Sequence, residues 1–174
     1  MNVRFLFISF LIIFQVQGQE KPNILFCLAD DWGWPHASAY GDNAIQTPNF
    51  DRLANEGILF NHAFVSSPSC TPSRNAFITG KYHWELGSGA NLWSTLPAEH
   101  ESFIHILQDK GYKIGRNRKK TWGPGSLDNW VAVHGEHPSG KGYDDLEEFL
   151  DTKDSDDPFF FWLGTPDPHR PYEA

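Results

Sequence analysis

The sequence predicts an α/β fold with a mostly parallel central sheet flanked by helices. Two solidly apolar runs, Ile24 to Leu28 and Phe159 to Leu163, read as buried strands, and segments with helical apolar spacing and helix stop signals lie between them. Strands that alternate with helices bury both faces of a parallel sheet, which favours this class over a helix bundle or a sandwich. Twelve prolines and fifteen glycines count further against a bundle, because each breaks a helix interior.

The elements follow in order. Arg4, the apolar run Phe5 to Phe14 and the small or polar residues Gln15 to Gln19 read as a secretory signal over residues 1–18, with cleavage expected near Gly18. The run is too short to cross a hydrocarbon core that needs roughly 20 residues, so no membrane span is expected after its removal. Lys21 to Asp31 holds the first strand, apolar on both faces and therefore expected at the centre of the sheet. Thr47 suits a helix N-cap, Pro48 its first turn, and Phe50, Leu53 and Ala54 its apolar face, with Gly57 as the stop. Ile58 to Val65 is expected as a second strand. Pro72 to Thr79 reads as a helix that starts just after Cys70 and ends at Gly80. Leu96 to Lys110 repeats the pattern with Phe103, Ile106 and Leu107 inward, and Tyr143 to Leu150 is a further short helix. Phe159 to Leu163 is the second buried strand and leads into Thr165, Pro166, Asp167, Pro168 and His169.

The formal charge of −8 speaks against nucleic acid as a partner, because phosphate-binding surfaces carry a basic excess. Two cysteines in an exported chain suggest a disulfide, but Cys27 lies inside an apolar strand and Cys70 in a Ser, Pro and Thr-rich turn. No disulfide is expected, and Cys27 reads as a small core residue.

Chemistry-bearing residues gather at the carboxyl ends of strands in such sheets. Asp30 and Asp31 stand where the first strand gives way to a loop. Adjacent carboxylates repel, and a hard divalent ion resolves the conflict, although solvated or capping carboxylates occur in the same setting. Cys70, Thr71, Pro72, Ser73 and Arg74 put a thiol at a helix entrance with a guanidinium about one turn further on, and both features favour an anion there. These five residues alone allow either a low-pKa catalytic thiol or a structural cysteine. The remaining histidines have no paired spacing that points to zinc. His83 is a candidate for the pocket wall, and Trp32, Trp34 and Trp122 are candidates for stacking on a sugar ring.

From about Lys21 to Glu173 the chain resembles the type I sulfatases of the alkaline phosphatase superfamily. The resemblance rests on Cys70, Thr71, Pro72, Ser73 and Arg74 followed by Ile78, Thr79 and Gly80, which is similar to the family's signature for oxidation of the cysteine to formylglycine. Around it, in the family's order, come the strand ending in Asp30 and Asp31, the stretch Thr47 to Ala54, and the turn Pro168, His169, Arg170, Pro171. The Trp122 to Pro124 and Asp167 to Arg170 stretches are most similar to the heparan sulfamidase-like branch.

The resemblance implies a sulfuric ester or sulfamate hydrolase acting on a sulfated carbohydrate, with residues 21–174 as an N-terminal sulfatase domain truncated on its C-terminal side and inactive alone. It implies calcium held by Asp30, Asp31 and an oxygen of modified Cys70, and a formylglycine-generating enzyme as partner. An aldehyde hydrates to two hydroxyls on one carbon, so that one can attack sulfur and the other later expel the sulfate. Arg74 would bind the nucleophile and His169 the sulfate or the leaving atom. Lys119 inherits the family's lysine role by spacing from Gly111, and Lys120 does so when counted back from Trp122. Thr121 stands where the family commonly has histidine, a departure that leaves one proton donor or sulfate contact either missing or supplied elsewhere, for example by the lysines. The implied location is secreted or periplasmic, or lysosomal in an animal. The rival readings are a phosphoester or phosphonate hydrolase of the same superfamily and a binding protein without catalysis.

Overall fold

The computed structural model describes residues 21–117, 131, 134, 137, 139–154 and 156–170. The expected signal at 1–18, Lys119, Lys120, Thr121 and Trp122 lie outside the described residues. Four strands form one parallel sheet: β1 (Ile24–Asp30), β2 (Lys113–Asn117), β3 (Lys141–Tyr143) and β4 (Phe159–Pro168), in the order β1-β4-β2-β3. The helices are α1 (Pro48–Glu56), α2 (Cys70–Thr79), α3 (Phe103–Asp109) and α4 (Leu146–Leu150).

The last chain segment of the sheet is its middle. β4 lies between β1 and β2, and its run of aromatics alternates between two cores. Phe160 and Trp162 join Ile78, Leu86, Leu96 and Ile104 on one face, while Phe161 meets Phe149 and Tyr143 on the other. Each such side chain contributes about 1.5–3 kcal/mol by leaving water. An apolar run covered on both faces is what the sequence led one to expect of β1 as well, and there the expectation is corrected. Among the described residues β1 is an edge strand, with Phe26 and Leu28 packed on the first core and Leu25 and Cys27 exposed on the opposite face. Cys27 is therefore not a core residue, and both cysteines are free.

Other elements shift for local reasons. Ile58 to Val65 forms no strand, and Ile58, Phe60, Phe64 and Val65 are all largely exposed, because no described strand lies beside them to complete a ladder. α3 starts at Phe103 rather than Leu96, since Ser102 caps it by accepting from the backbone N–H of Ile104 at 3.2 Å. That register buries Ile104 completely and leaves Ile106 exposed, while Phe103 and Leu107 pack on the first core as the sequence led one to expect. Tyr143 ends β3, and α4 begins after Asp145, whose side chain accepts from the Glu148 N–H at 2.8 Å. In α1, Thr47 flanks the helix as expected but donates its hydroxyl to Asp51 at 2.9 Å instead of capping a backbone N–H. Asp51 also accepts from Ser38 Oγ at 2.6 Å and Ala39 N at 2.9 Å, which holds its carboxyl below the usual range and ties the loop after β1 to α1. Leu53 of the expected apolar face stays exposed.

β2 carries little apolar signal, with a single isoleucine and a glycine in Lys-Ile-Gly-Arg-Asn. The glycine is what the packing requires: a Cβ at Gly115 would stand 2.5 Å from Phe149 Cδ2, so the α4 ring rests on bare backbone.

The turn before β3 carries a pH-sensitive contact. His137 Nδ1 accepts from the Ser139 N–H at 3.1 Å and lies 2.7 Å from the Ser139 hydroxyl, a geometry that needs an unprotonated nitrogen. Burial, aided by the nearby Arg116 charge, pushes its pKa down from 6.5 to about 3. The unfolded chain then binds more protons than the folded one between these values, so stability is fully present above pH 6.5 and falls as pH drops toward 3. The slope from this one group is at most about 1.4 kcal/mol per pH unit. Urea unfolding between pH 7 and 4 should show a shallower pH dependence in His137→Asn than in the unmodified protein, and identical profiles would count against the assignment.

Candidate active site

The site is assembled at the carboxyl rim of the sheet. β1 delivers Asp30 opposite Pro168 of β4, with a register shift between Ala29 and Asp30. The chain then turns sharply through Asp31, which adopts a left-handed φ of 63°. Such a conformation is uncommon for a non-glycine residue and redirects its carboxylate away from the strand direction. From the end of β4, His169 comes back over the same rim, its backbone N–H donating to Pro166 O at 2.9 Å. α2 supplies the third component. Cys70 is its first residue, and Gly80 ends it at φ 66°.

Helical spacing puts Arg74 one turn beyond Cys70 on the same side of α2. Its guanidinium is buried, at 4% exposure, and Nη2 lies 3.1 Å from Asp30 Oδ1. Nη1 is inaccessible to solvent and has no hydrogen-bond partner among the described residues. A buried donor left unmade costs free energy, so it marks a position where an acceptor belongs. Arg74 also lines a largely apolar cavity of about 630 Å³ that runs along α2 past Ser73 and Phe77 to Lys81.

Ligand atoms of Asp30, Cys70 and His169 lie within 4.8 Å of one another, the only such group of three or more among the described residues. Asp31 joins from the side, its Oδ2 3.7 Å from His169 Nε2. Five of the six residues singled out in the sequence (Asp30, Asp31, Cys70, Arg74 and His169) therefore meet at one rim, and Lys119 lies outside the described residues. The thiol itself is not activated. Burial pushes the Cys70 pKa up, the Asp30 charge adds to this and Arg74 only partly offsets it. That corrects the option of a low-pKa thiolate: an acidic, partly desolvated setting disfavours a second anion.

A thiol and an imidazole suit softer metals, whereas calcium takes six to eight oxygens. With oxygen in place of sulfur at position 70, Asp30, Asp31 and residue 70 become an oxygen set at one rim, and the unmatched Arg74 Nη1 suits an anionic oxygen beside it. As an oxygen set these residues would suit a hard cation such as calcium, which takes more oxygens than these three offer.

The other candidates are placed as follows. His83 is not on the cavity wall and pairs its Nδ1 with Ser66 Oγ at 2.9 Å. Trp32 packs edge-on against Phe50 and Trp34 is exposed. His105 and His134, unpaired in sequence spacing, bring their rings to 5.5 Å and line a second cavity with Glu99 and Glu101. The sequence reading missed Asn117 at the end of β2, where only a weak polar signal closes a short strand.

A parallel sheet with this rim is the alkaline phosphatase-like α/β class. The chain belongs to the sulfatase family: the family model described as Sulfatase matches residues 22–174. It is 33% identical over 182 residues to an N-acetylglucosamine-6-O-sulfatase of Bacteroides thetaiotaomicron, covering 90% of this chain and 32% of that protein. Human arylsulfatase D is 37% identical over 134 residues, covering 71% of this chain and 22% of the relative. Among solved structures, one in complex with its substrate D-glucosamine-2-N,6-O-disulfate matches with TM-score 0.67 and 31% identity, covering 86% of this chain and 35% of the other. A phosphonate monoester hydrolase of Agrobacterium radiobacter shares the fold at TM-score 0.61 and 19% identity. The chain thus spans about a third or less of the length of these curated relatives.

Proposed function

We propose that these residues form the nucleophile-bearing part of a sulfatase that hydrolyses sulfate esters of sugars, with a formylglycine made from Cys70 by a maturing enzyme. The observation that supports this most is the convergence of Asp30, Cys70 and His169 within 4.8 Å beside a buried Arg74. The raised thiol pKa supports it too, because an oxygen nucleophile answers what a disfavoured thiolate cannot. Asp30 and Asp31, with an oxygen on residue 70, would hold calcium, which when bound lowers the pKa of the attacking oxygen and attracts sulfate oxygens.

The chain's own residues do the rest. Arg74, held by Asp30 through Nη2 and with Nη1 unmatched among the described residues, stabilises negative charge as it develops on the nucleophile. His169 contacts the sulfate or the leaving oxygen, with Asp31 Oδ2 3.7 Å from its Nε2. Lys119, or Lys120, contributes a further sulfate contact. Relatives named for 6-O-sulfated amino sugars support a sulfated sugar as substrate, with an N-sulfated sugar as the alternative. No described helix is long and apolar enough to cross a membrane, and residues 1–18 are read as an export signal.

The test combines chemistry and turnover. Expressed in full length with a sulfatase-maturing enzyme, the protein should yield a Cys70 peptide about 18 Da lighter than the thiol form, as expected for conversion of that thiol to an aldehyde. It should release sulfate from O-sulfated glucosamine and not phosphate from phosphate esters or phosphonates. An intact thiol without turnover would favour a binding protein, and preferential phosphate or phosphonate release would favour the rival hydrolase.

A further inference from the structure

β2 and β4 keep regular register from Lys113 opposite Phe159 to Arg116 opposite Trp162, and then the ladder stops. At that point a side chain takes over from the backbone. Asn117 Nδ2 donates to Gly164 O at 2.7 Å, and Gly164 N donates to Asn117 Oδ1 at 2.8 Å. One amide thus satisfies both polar groups of a residue in the central strand, as a neighbouring strand would. Gly164 is at the same time in register with Leu28 of β1, so the clamp acts two residues before β1 delivers Asp30. Five residues after Gly164 comes His169, and two residues after Asn117 comes Lys119.

From this geometry we infer that Asn117 is a positioning residue, which clamps the carboxyl ends of β2 and β4 so that the loop carrying His169 leaves the sheet at a set angle over Asp30 and Cys70. The inference rests on the sulfatase reading above. In this role Asn117 acts through His169. Its planar amide is required for this: a carboxylate would keep the acceptor toward Gly164 N but turn a second oxygen against Gly164 O, and alanine would remove both bonds. Arg116 steadies the other side of the same strand end, with Nε donating to Gly140 O at 3.2 Å.

Asn117→Ala and the near-isosteric Asn117→Asp should be compared with the unmodified full-length enzyme, matched for formylglycine content and folded fraction, on a sulfated sugar. Displacement of a reacting group by about 1 Å can cost around 10²-fold in rate, so kcat should fall between about tenfold and 10²-fold in both variants while KM changes little. The decisive readout is a double-mutant cycle with His169→Ala. If Asn117 acts through His169, Asn117→Asp should cost almost nothing further in the His169→Ala background. An additive loss in that background, or kcat within twofold of the unmodified enzyme in Asn117→Asp, would overturn the inference. An unmodified enzyme that turns over no sulfated substrate would instead overturn the functional reading beneath it. Should Asn117→Ala fail to fold, Asn117→Asp carries the same comparison.

Discussion

Replacing Arg74 by lysine should lower sulfate release per formylglycine by about 10²-fold or more while leaving the fold in place. The guanidinium is buried, engages Asp30 through Nη2, and holds Nη1, unmatched among the described residues, in the same plane as Nη2. A lysine ammonium is a compact point charge; it can keep the ion pair with Asp30 or reach the nucleophile, without the fixed fork that does both. Because Arg74 also belongs to the sequence that the maturing enzyme reads in this family, aldehyde content at Cys70 must be measured by mass on the same preparation. Near-normal turnover per formylglycine would assign Arg74 to maturation alone.

Asp30→Asn should be more damaging, and in two separable ways. The Asp30 carboxylate is the only ion-pair partner that the described residues provide for the Arg74 guanidinium, and the two side chains are 12% and 5% exposed. Removing one member of a buried pair leaves an uncompensated charge, at a cost of about 3–5 kcal/mol. The midpoint of urea or thermal unfolding should fall accordingly. Calcium-dependent activity should disappear, since half of the carboxylate pair is gone. A third measurement tests the rim geometry without any turnover. Asp30 is one of the charges that raise the Cys70 pKa, so in protein left in the cysteine form the variant thiol should have a lower pKa and alkylate faster at a fixed pH near neutrality. An unchanged alkylation rate would place the Asp30 carboxylate away from Cys70, against the geometry described.

Much of this protein was legible from residue order. Helix α2 and its glycine stop, the proline start of α1, the strand character of β1 and β4 and the parallel α/β class all follow from local spacing and turn chemistry. The five rim residues were legible too, because strand ends and a helix entrance are sequence-local features, and in a parallel sheet they fall on one edge. What could not be read was how much of each apolar run is covered. β1 and β4 carry similar runs, yet β4 is buried on both faces and β1 is an edge, since burial depends on which elements arrive beside a strand. For the same reason Ile58 to Val65, strand-like by composition, forms no strand where no described neighbour completes its ladder.

The structure alone decided the electrostatics and the joinery. That the thiol is raised and not lowered follows from its burial and then from the Asp30 and Asp31 charges beside it, and helix-entrance chemistry by itself pointed the other way. Asp31 reaches His169 because a left-handed turn redirects it, something no pair of adjacent aspartates announces. Asn117 and Gly164 are 47 residues apart in sequence, and their pairing exists only because parallel crossovers bring distant strand ends side by side. The sequence determined which groups are available at the rim; long-range contacts, set by strand order and packing, decided their charge state and their aim.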